Sequence, residues 1–176
     1  MNIIDAFADP ARFVRLRRDI HAHPELGFEE HRTSQLVAGL LREWGLDVHT
    51  GIAGTGVVGV LKCGSGIRTI GLRADMDALP LHEENQFPHR SQHDGRMHAC
   101  GHDGHTTMLL AAAWHMAQAA RAAAAGTGAA PFNGTVNFIF QPAEEGAPSE
   151  PDANGVAPSF GAKAMIEQGV LKDVQI

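Results

Sequence analysis

The segment Met97-His98-Ala99-Cys100-Gly101-His102-Asp103-Gly104-His105 places a thiol, three imidazoles and a carboxylate within eight residues. Thiolate sulfur and imidazole nitrogen are the usual ligands of zinc and similar ions, and binding deprotonates the thiol. In an extended loop, residues two apart point the same way, so Cys100 and His102 can share one ion. A polar turn capped by Asp103 would account for a single solvated histidine, but not for this density. A structural zinc site needs four protein ligands in paired motifs such as C-x-x-C, and no second pair exists here. The cluster reads as an open metal site of the catalytic kind.

A second constellation is Phe140-Gln141-Pro142-Ala143-Glu144-Glu145-Gly146, where an apolar run passes into a loop with two adjacent carboxylates. Neighbouring residues of extended chain project in different directions, so one carboxylate can hold a metal while the other faces substrate and handles protons. Hydrolysis at a metal needs both roles, because the ion acidifies water and a base must take the proton. Alone, the pair reads equally as a solvated acidic loop.

Acidic residues recur in Leu72-Arg73-Ala74-Asp75-Met76-Asp77-Ala78-Leu79-Pro80, again at the end of an expected strand. Asp75 and Asp77 should face alike. Such carboxylates either orient a metal-bound histidine by accepting its hydrogen bond or simply form a turn before proline, and the residues alone leave both open. His21-Ala22-His23-Pro24-Glu25 looks metal-like in isolation, but imidazoles near a helix C-terminus are favoured by the helix dipole, and Pro24 explains the stop.

These groups need elements to carry them. Phe13, Leu16 and Ile20 recur at helical spacing between Ala11 and Ile20, and Leu36, Val37, Leu40, Leu41 and Trp44 share a face between Arg32 and Trp44. Val57 to Leu61 and Thr69 to Leu72 are short, β-branched and bounded by glycines, so both read as strands, expected to pair across Gly64-Ser65-Gly66. Thr135 to Gln141 reads as a strand covered on both faces. Thr106 to Ala125, rich in Ala, Leu and Met, reads as a long helix with Asp103 as N-cap and Gly126-Thr127-Gly128 at its end. Gly146 to Pro158 reads as an exposed loop before a short helix at Ala162 to Gln168. Helices flanking buried strands predict a layered α/β domain.

Composition sets outer bounds. The 176 residues, 44% hydrophobic and 19% charged, suit one globular domain. A net charge of −6 without a cationic run disfavours nucleic acid and anionic membrane as partners. The apolar stretch from Met108 to Trp114 is far too short to span a bilayer, and the N-terminus does not read as a secretion signal, so a cytoplasmic location is expected. Cys63 and Cys100 are expected to remain unpaired.

In order, Arg17 to Leu26, Leu72 to Pro80, Met97 to His105 and Gln141 to Gly146 resemble the M20 family of metallohydrolases, in the branch of hippurate hydrolases and auxin-conjugate amidohydrolases. The resemblance covers essentially the whole chain. It implies an α/β/α aminopeptidase-like catalytic domain, with Cys100, His102 and Glu145 as metal ligands and Glu144 as the general base. It also implies Asp77 as the acid that orients a ligand. The implied reaction is metal-assisted hydrolysis of the amide of an N-acyl amino acid. Two divalent ions per complete site are implied, with manganese, zinc, nickel and cobalt all eligible.

Members of this branch are longer, with a lid or dimerisation domain and a returning catalytic segment that carries two further histidine ligands. The last histidine here is His115. The expectation is therefore that residues 1–176 form the N-terminal segment of an incomplete catalytic domain, without those later parts. Its partners would be a small N-acyl amino acid and either a second copy or a complementing C-terminal fragment. The rival reading is a catalytically inactive remnant that binds metal or a protein partner.

Overall fold

The computed structural model describes residues 10–146, 160–172 and 174. Most of the expected loop after Gly146 lies outside these. The chain runs α1 (Pro10–Ala22), α2 (His31–Glu43), β1 (Asp47–Ile52), β2 (Gly56–Cys63), β3 (Thr69–Asp75), α3 (His102–Ala124), β4 (Gly134–Gln141) and α4 (Gly161–Glu167). All four predicted helices are present within a few residues of their expected bounds.

The strands form one mixed sheet in the order β1-β2-β4-β3, with β3 and β4 parallel and the other two pairs antiparallel. This corrects the expected hairpin between β2 and β3. The connection after Cys63 is short, but β4 lies between the two strands. The Asn133 side chain accepts hydrogen bonds from the Ser65 and Gly66 amides at 3.0 and 2.7 Å, tying the turn to the start of β4. β1 was not anticipated from the sequence.

One face of the sheet carries the main core. Leu41 and Val37 from α2, Leu110 and Ala113 from α3, and Val57, Val136, Phe138 and Phe140 from the sheet are all essentially inaccessible. Phe13 of α1 joins them and meets Trp114 edge to face at 5.9 Å. On the other face Met165 of α4 packs with Ala53, Val58 and Ile139. The strand β4 is thus covered on both sides, as its continuous apolar run predicts. The architecture is a layered α/β/α unit.

One consequence decides where chemistry can sit. β3 and β4 are parallel neighbours linked through α3, so both strands end at the same edge, with Asp75 opposite Gln141. The Met76 amide extends that pairing to the Gln141 carbonyl at 3.0 Å. The helix α3 starts at the same edge, where the Thr106 hydroxyl donates to the Asp75 carbonyl at 2.8 Å. Open α/β sheets bind their ligands outside the carboxyl ends of such strands.

Candidate metal centre

Three loops converge there. Asp77 follows β3, Cys100 and His102 sit at the start of α3, and Glu144 and Glu145 follow β4. Donor atoms of Cys100, His102 and Glu145 all lie within 4.8 Å of one another. The sequence reading brought Cys100 and His102 together through an extended loop, but the structure does so differently. His102 is the first helical residue, and Gly101 before it is the N-cap with φ +84°, a left-handed conformation that costs glycine little. That bend swings the exposed thiol of Cys100 back beside the buried imidazole.

Asp103 does not act as the N-cap. It is fully buried, and its Oδ2 takes the Arg17 Nε at 2.6 Å and the His21 Nδ1 at 2.8 Å. His21 spans from there to Glu83 Oε1 at 3.1 Å. His21 is therefore a buried strut joining α1 to the start of α3, and the dipole explanation drawn from its sequence position is replaced by this pair of hydrogen bonds to Asp103 and Glu83. His23 instead bonds its own helix, through the Asp19 carbonyl at 2.7 Å.

The orientation of His102 is set from behind. Its Nδ1 lies 2.9 Å from the Asp77 carbonyl and 3.1 Å from Asp77 Oδ1, so this nitrogen carries the hydrogen and donates it. The remaining lone pair is on Nε2, which faces Asp75, Glu144 and Glu145 carboxylate oxygens at 3.7–3.8 Å. Burial pushes His102 toward neutrality, but the Asp77 hydrogen bond and the charges of Asp75 and Asp77 outweigh it and raise its pKa. Asp77 shows the converse balance. Burial raises its pKa, while bonds from His102 and from the Glu145 and Glu144 amides lower it further, leaving a net depression.

Electrostatics distinguish the possible jobs of Cys100. Hydrogen bonding to Glu145, with desolvation and the charges of Glu145, Glu144 and Asp77, pushes its thiol up to about 11. Surroundings this negative suppress a free thiolate nucleophile. They suit a cation, whose charge reverses the local logic and deprotonates the sulfur. The Cys100 thiol, an imidazole lone pair held in place by a carboxylate, and the Glu145 carboxylate form a suitable donor set for a divalent ion.

A second grouping, Asp75, His102 and His105, has donors equally close together. It draws on the same His102 Nε2. Asp75 is also already engaged, by His105 Nδ1 at 2.6 Å and by Arg73 Nη1 at 3.1 Å. Asp75 and Asp77 thus approach opposite nitrogens of His102, rather than acting as one pair facing alike. His98, the third imidazole of the motif, points away into the interior, where neither ring nitrogen has a partner among the described residues.

The sequence reading missed the buried Glu30, whose Oε1 accepts the Ala143 amide at 2.8 Å immediately before the two glutamates. No short motif marks it, because its partner lies 113 residues away.

The model of peptidase family M20/M25/M40 matches residues 71–176. Over 173 residues the chain is 47% identical to hippurate hydrolase of Campylobacter jejuni, covering 98% of this chain and 39% of that protein. It is 43% identical over 161 residues to IAA-amino acid hydrolase ILR1-like 5 of Arabidopsis thaliana, covering 92% of this chain and 32% of that one. Among solved structures, the YXEP protein of Bacillus subtilis, described as a dinuclear metal binding peptidase from the M20 family, is similar with a TM-score of 0.78 at 37% identity. That match covers 94% of this chain and 41% of the solved one. The chain spans well under half the length of each of these relatives.

Proposed function

The chain belongs to peptidase family M20/M25/M40, a family of hydrolases, and from that premise we propose that it carries the N-terminal metal-binding half-site of an amidohydrolase acting on N-acyl amino acids. The observation that carries this reading is the meeting of Cys100, His102 and Glu145 within 4.8 Å, with Glu144 directly beside them. The named activities of the hippurate and IAA-amino acid hydrolases supply the substrate class.

In this reading Cys100, His102 and Glu145 hold a divalent ion. Such an ion lowers the pKa of water and polarises a carbonyl oxygen, and the thiolate favours zinc, cobalt or nickel beside manganese. Asp77 keeps the His102 hydrogen on Nδ1, so that Nε2 presents its lone pair. Glu144 is a general base. Its side chain is 42% exposed, open to water and substrate, while Glu145 is more enclosed at 24%. A Glu144 oxygen accepts a proton from water as the water oxygen bonds to the amide carbon. The same proton passes to the departing nitrogen when the C–N bond breaks, releasing a carboxylic acid and an amino acid.

Two ions per complete site, a lid or dimerisation domain and a returning catalytic segment belong to the same proposal. So does residence in the cytoplasm. The described helices include none long and apolar enough to cross a membrane.

The test is hydrolysis. The protein is loaded separately with manganese, zinc and cobalt and assayed for free amino acid released from N-benzoyl-, N-acetyl- and indoleacetyl-amino acids. Turnover abolished by Glu144→Gln supports the proposal. Folded, metal-loaded protein that releases nothing from any substrate overturns it as an account of this chain acting alone.

A further inference from the structure

Glu30 is a carboxylate with no accessible surface, although it stands at the N-cap position of α2, a place normally open to solvent. It makes no capping hydrogen bond to its helix. Instead it spans two loops. One oxygen accepts the Thr55 hydroxyl from the β1–β2 turn, and the other accepts the Ala143 amide from the turn after β4. Burying a carboxylate is unfavourable, and an apolar side chain of similar length would cover the same surface without that cost. Burial accordingly raises the Glu30 pKa, against hydrogen bonds, those from Thr55 and Ala143 foremost, that lower it.

The backbone around this carboxylate is strained in a patterned way. Among the described residues, the non-glycine residues with positive φ are Phe28 (+63°), Ala53 (+49°) and Ala143 (+47°). Phe28 lies two residues before Glu30, Ala53 two before Thr55, and Ala143 is the residue whose amide Glu30 holds. Left-handed backbone at residues with a Cβ persists only where surrounding contacts overdetermine it, and it concentrates at functional sites. At Ala143 it has a visible effect. The chain turns from buried Ala143 to exposed Glu144 and Glu145 in one step.

We infer that Glu30 is a positioning residue of the metal centre: through the Thr55–Glu30–Ala143 hydrogen-bond chain it holds the turn that presents Glu144 and Glu145. This rests on the roles given to those two glutamates above. Glu30 clamps the turn at its start and Asp77 clamps it two residues later, through the Glu145 amide at 2.9 Å. Two buried carboxylates thus fix two nearby points of one loop, and neither belongs to the proposed ligand set of Cys100, His102 and Glu145. The part Glu30 plays is acceptance of the Ala143 hydrogen, which a glutamine oxygen performs equally.

The inference is tested on the 176-residue chain by site-resolved amide exchange at Ala143 and Glu145, with cobalt affinity measured by chelator competition. Glu30→Met removes the acceptor while keeping length, Glu30→Gln keeps it, and Thr55→Val loosens Glu30 without touching Ala143. In Glu30→Met, exchange at Ala143 should quicken by roughly tenfold or more relative to core amides such as Val57 and Leu110, and cobalt should bind roughly tenfold more weakly. Glu30→Gln should stay within about threefold of the parent in both. If Glu30→Met does not fold, Thr55→Val should show a smaller acceleration at Ala143. Unchanged exchange at Ala143 in the folded variant overturns the inference, as does a glutamine variant as impaired as the methionine one. Faster exchange with unaltered cobalt affinity overturns the positioning role. A parent chain that binds no cobalt refutes the metal reading instead, and the exchange arm still decides the role of Glu30.

Discussion

His102 and Asp77 form a carboxylate–histidine pair in which Nδ1 donates to the Asp77 carboxylate at 3.1 Å and to its carbonyl at 2.9 Å. The pair fixes both the tautomer and the ring plane of His102. Because Asp77 Oδ2 also takes the Glu145 amide at 2.9 Å, one buried aspartate aligns two of the three proposed ligands.

Replacing Asp77 with alanine should therefore weaken divalent-ion binding by about 10- to 100-fold, the usual effect of losing an orienting carboxylate. Competition against a calibrated chelator reads this directly. Affinity unchanged in a folded Asp77→Ala chain would mean that His102 is oriented by other means.

His98 sets a limit at low pH. Burial pushes its pKa from the ordinary value of 6.5 to about 4, so the folded chain keeps it neutral where the unfolded chain protonates it. Stability linked to this group is complete above about pH 6.5 and is lost as pH falls toward 4, by about 3 kcal/mol in all. Denaturant unfolding of the metal-free protein between pH 4 and 7 should show a flatter profile for His98→Leu than for the parent. Parallel profiles would place the titration elsewhere.

Gly27 is predicted to tolerate no side chain. A Cβ there would collide with the Gly146 carbonyl and meet the Ala143 Cβ at 3.0 Å, so the loop after Glu25 lies directly against the turn bearing Glu144 and Glu145. Gly27→Ala should cost about 1–3 kcal/mol, the range for overpacking a close contact. It should also weaken ion binding, because relief comes from moving that turn. An equally stable variant with intact ion binding would show that the two segments part freely.

Much of this arrangement was legible in the sequence because its signals are local. Helical spacing in Phe13, Leu16 and Ile20 and the apolar run of β4 each announce themselves within one element. The density of donors between Met97 and His105 does the same for the site. β1 escaped notice because Asp47–Ile52 is an edge strand with mostly exposed residues, so no buried face marks it. The order of β2 and β3 depends on a crossover through α3, which the brief turn after Cys63 does not reveal. The struts Asp103–His21 and Glu30–Ala143 join residues 82 and 113 positions apart, and only the folded chain brings them together.

The central claim is that Cys100, His102 and Glu145 hold one divalent ion, and titration of the purified chain with cobalt(II), followed in the near-ultraviolet, tests it most directly. Thiolate coordination produces a sulfur-to-cobalt charge-transfer band. The account predicts that this band saturates in the parent chain, disappears in Cys100→Ser, and needs more cobalt in Glu145→Gln. A parent chain with no such band, or a band that survives in Cys100→Ser, would contradict it.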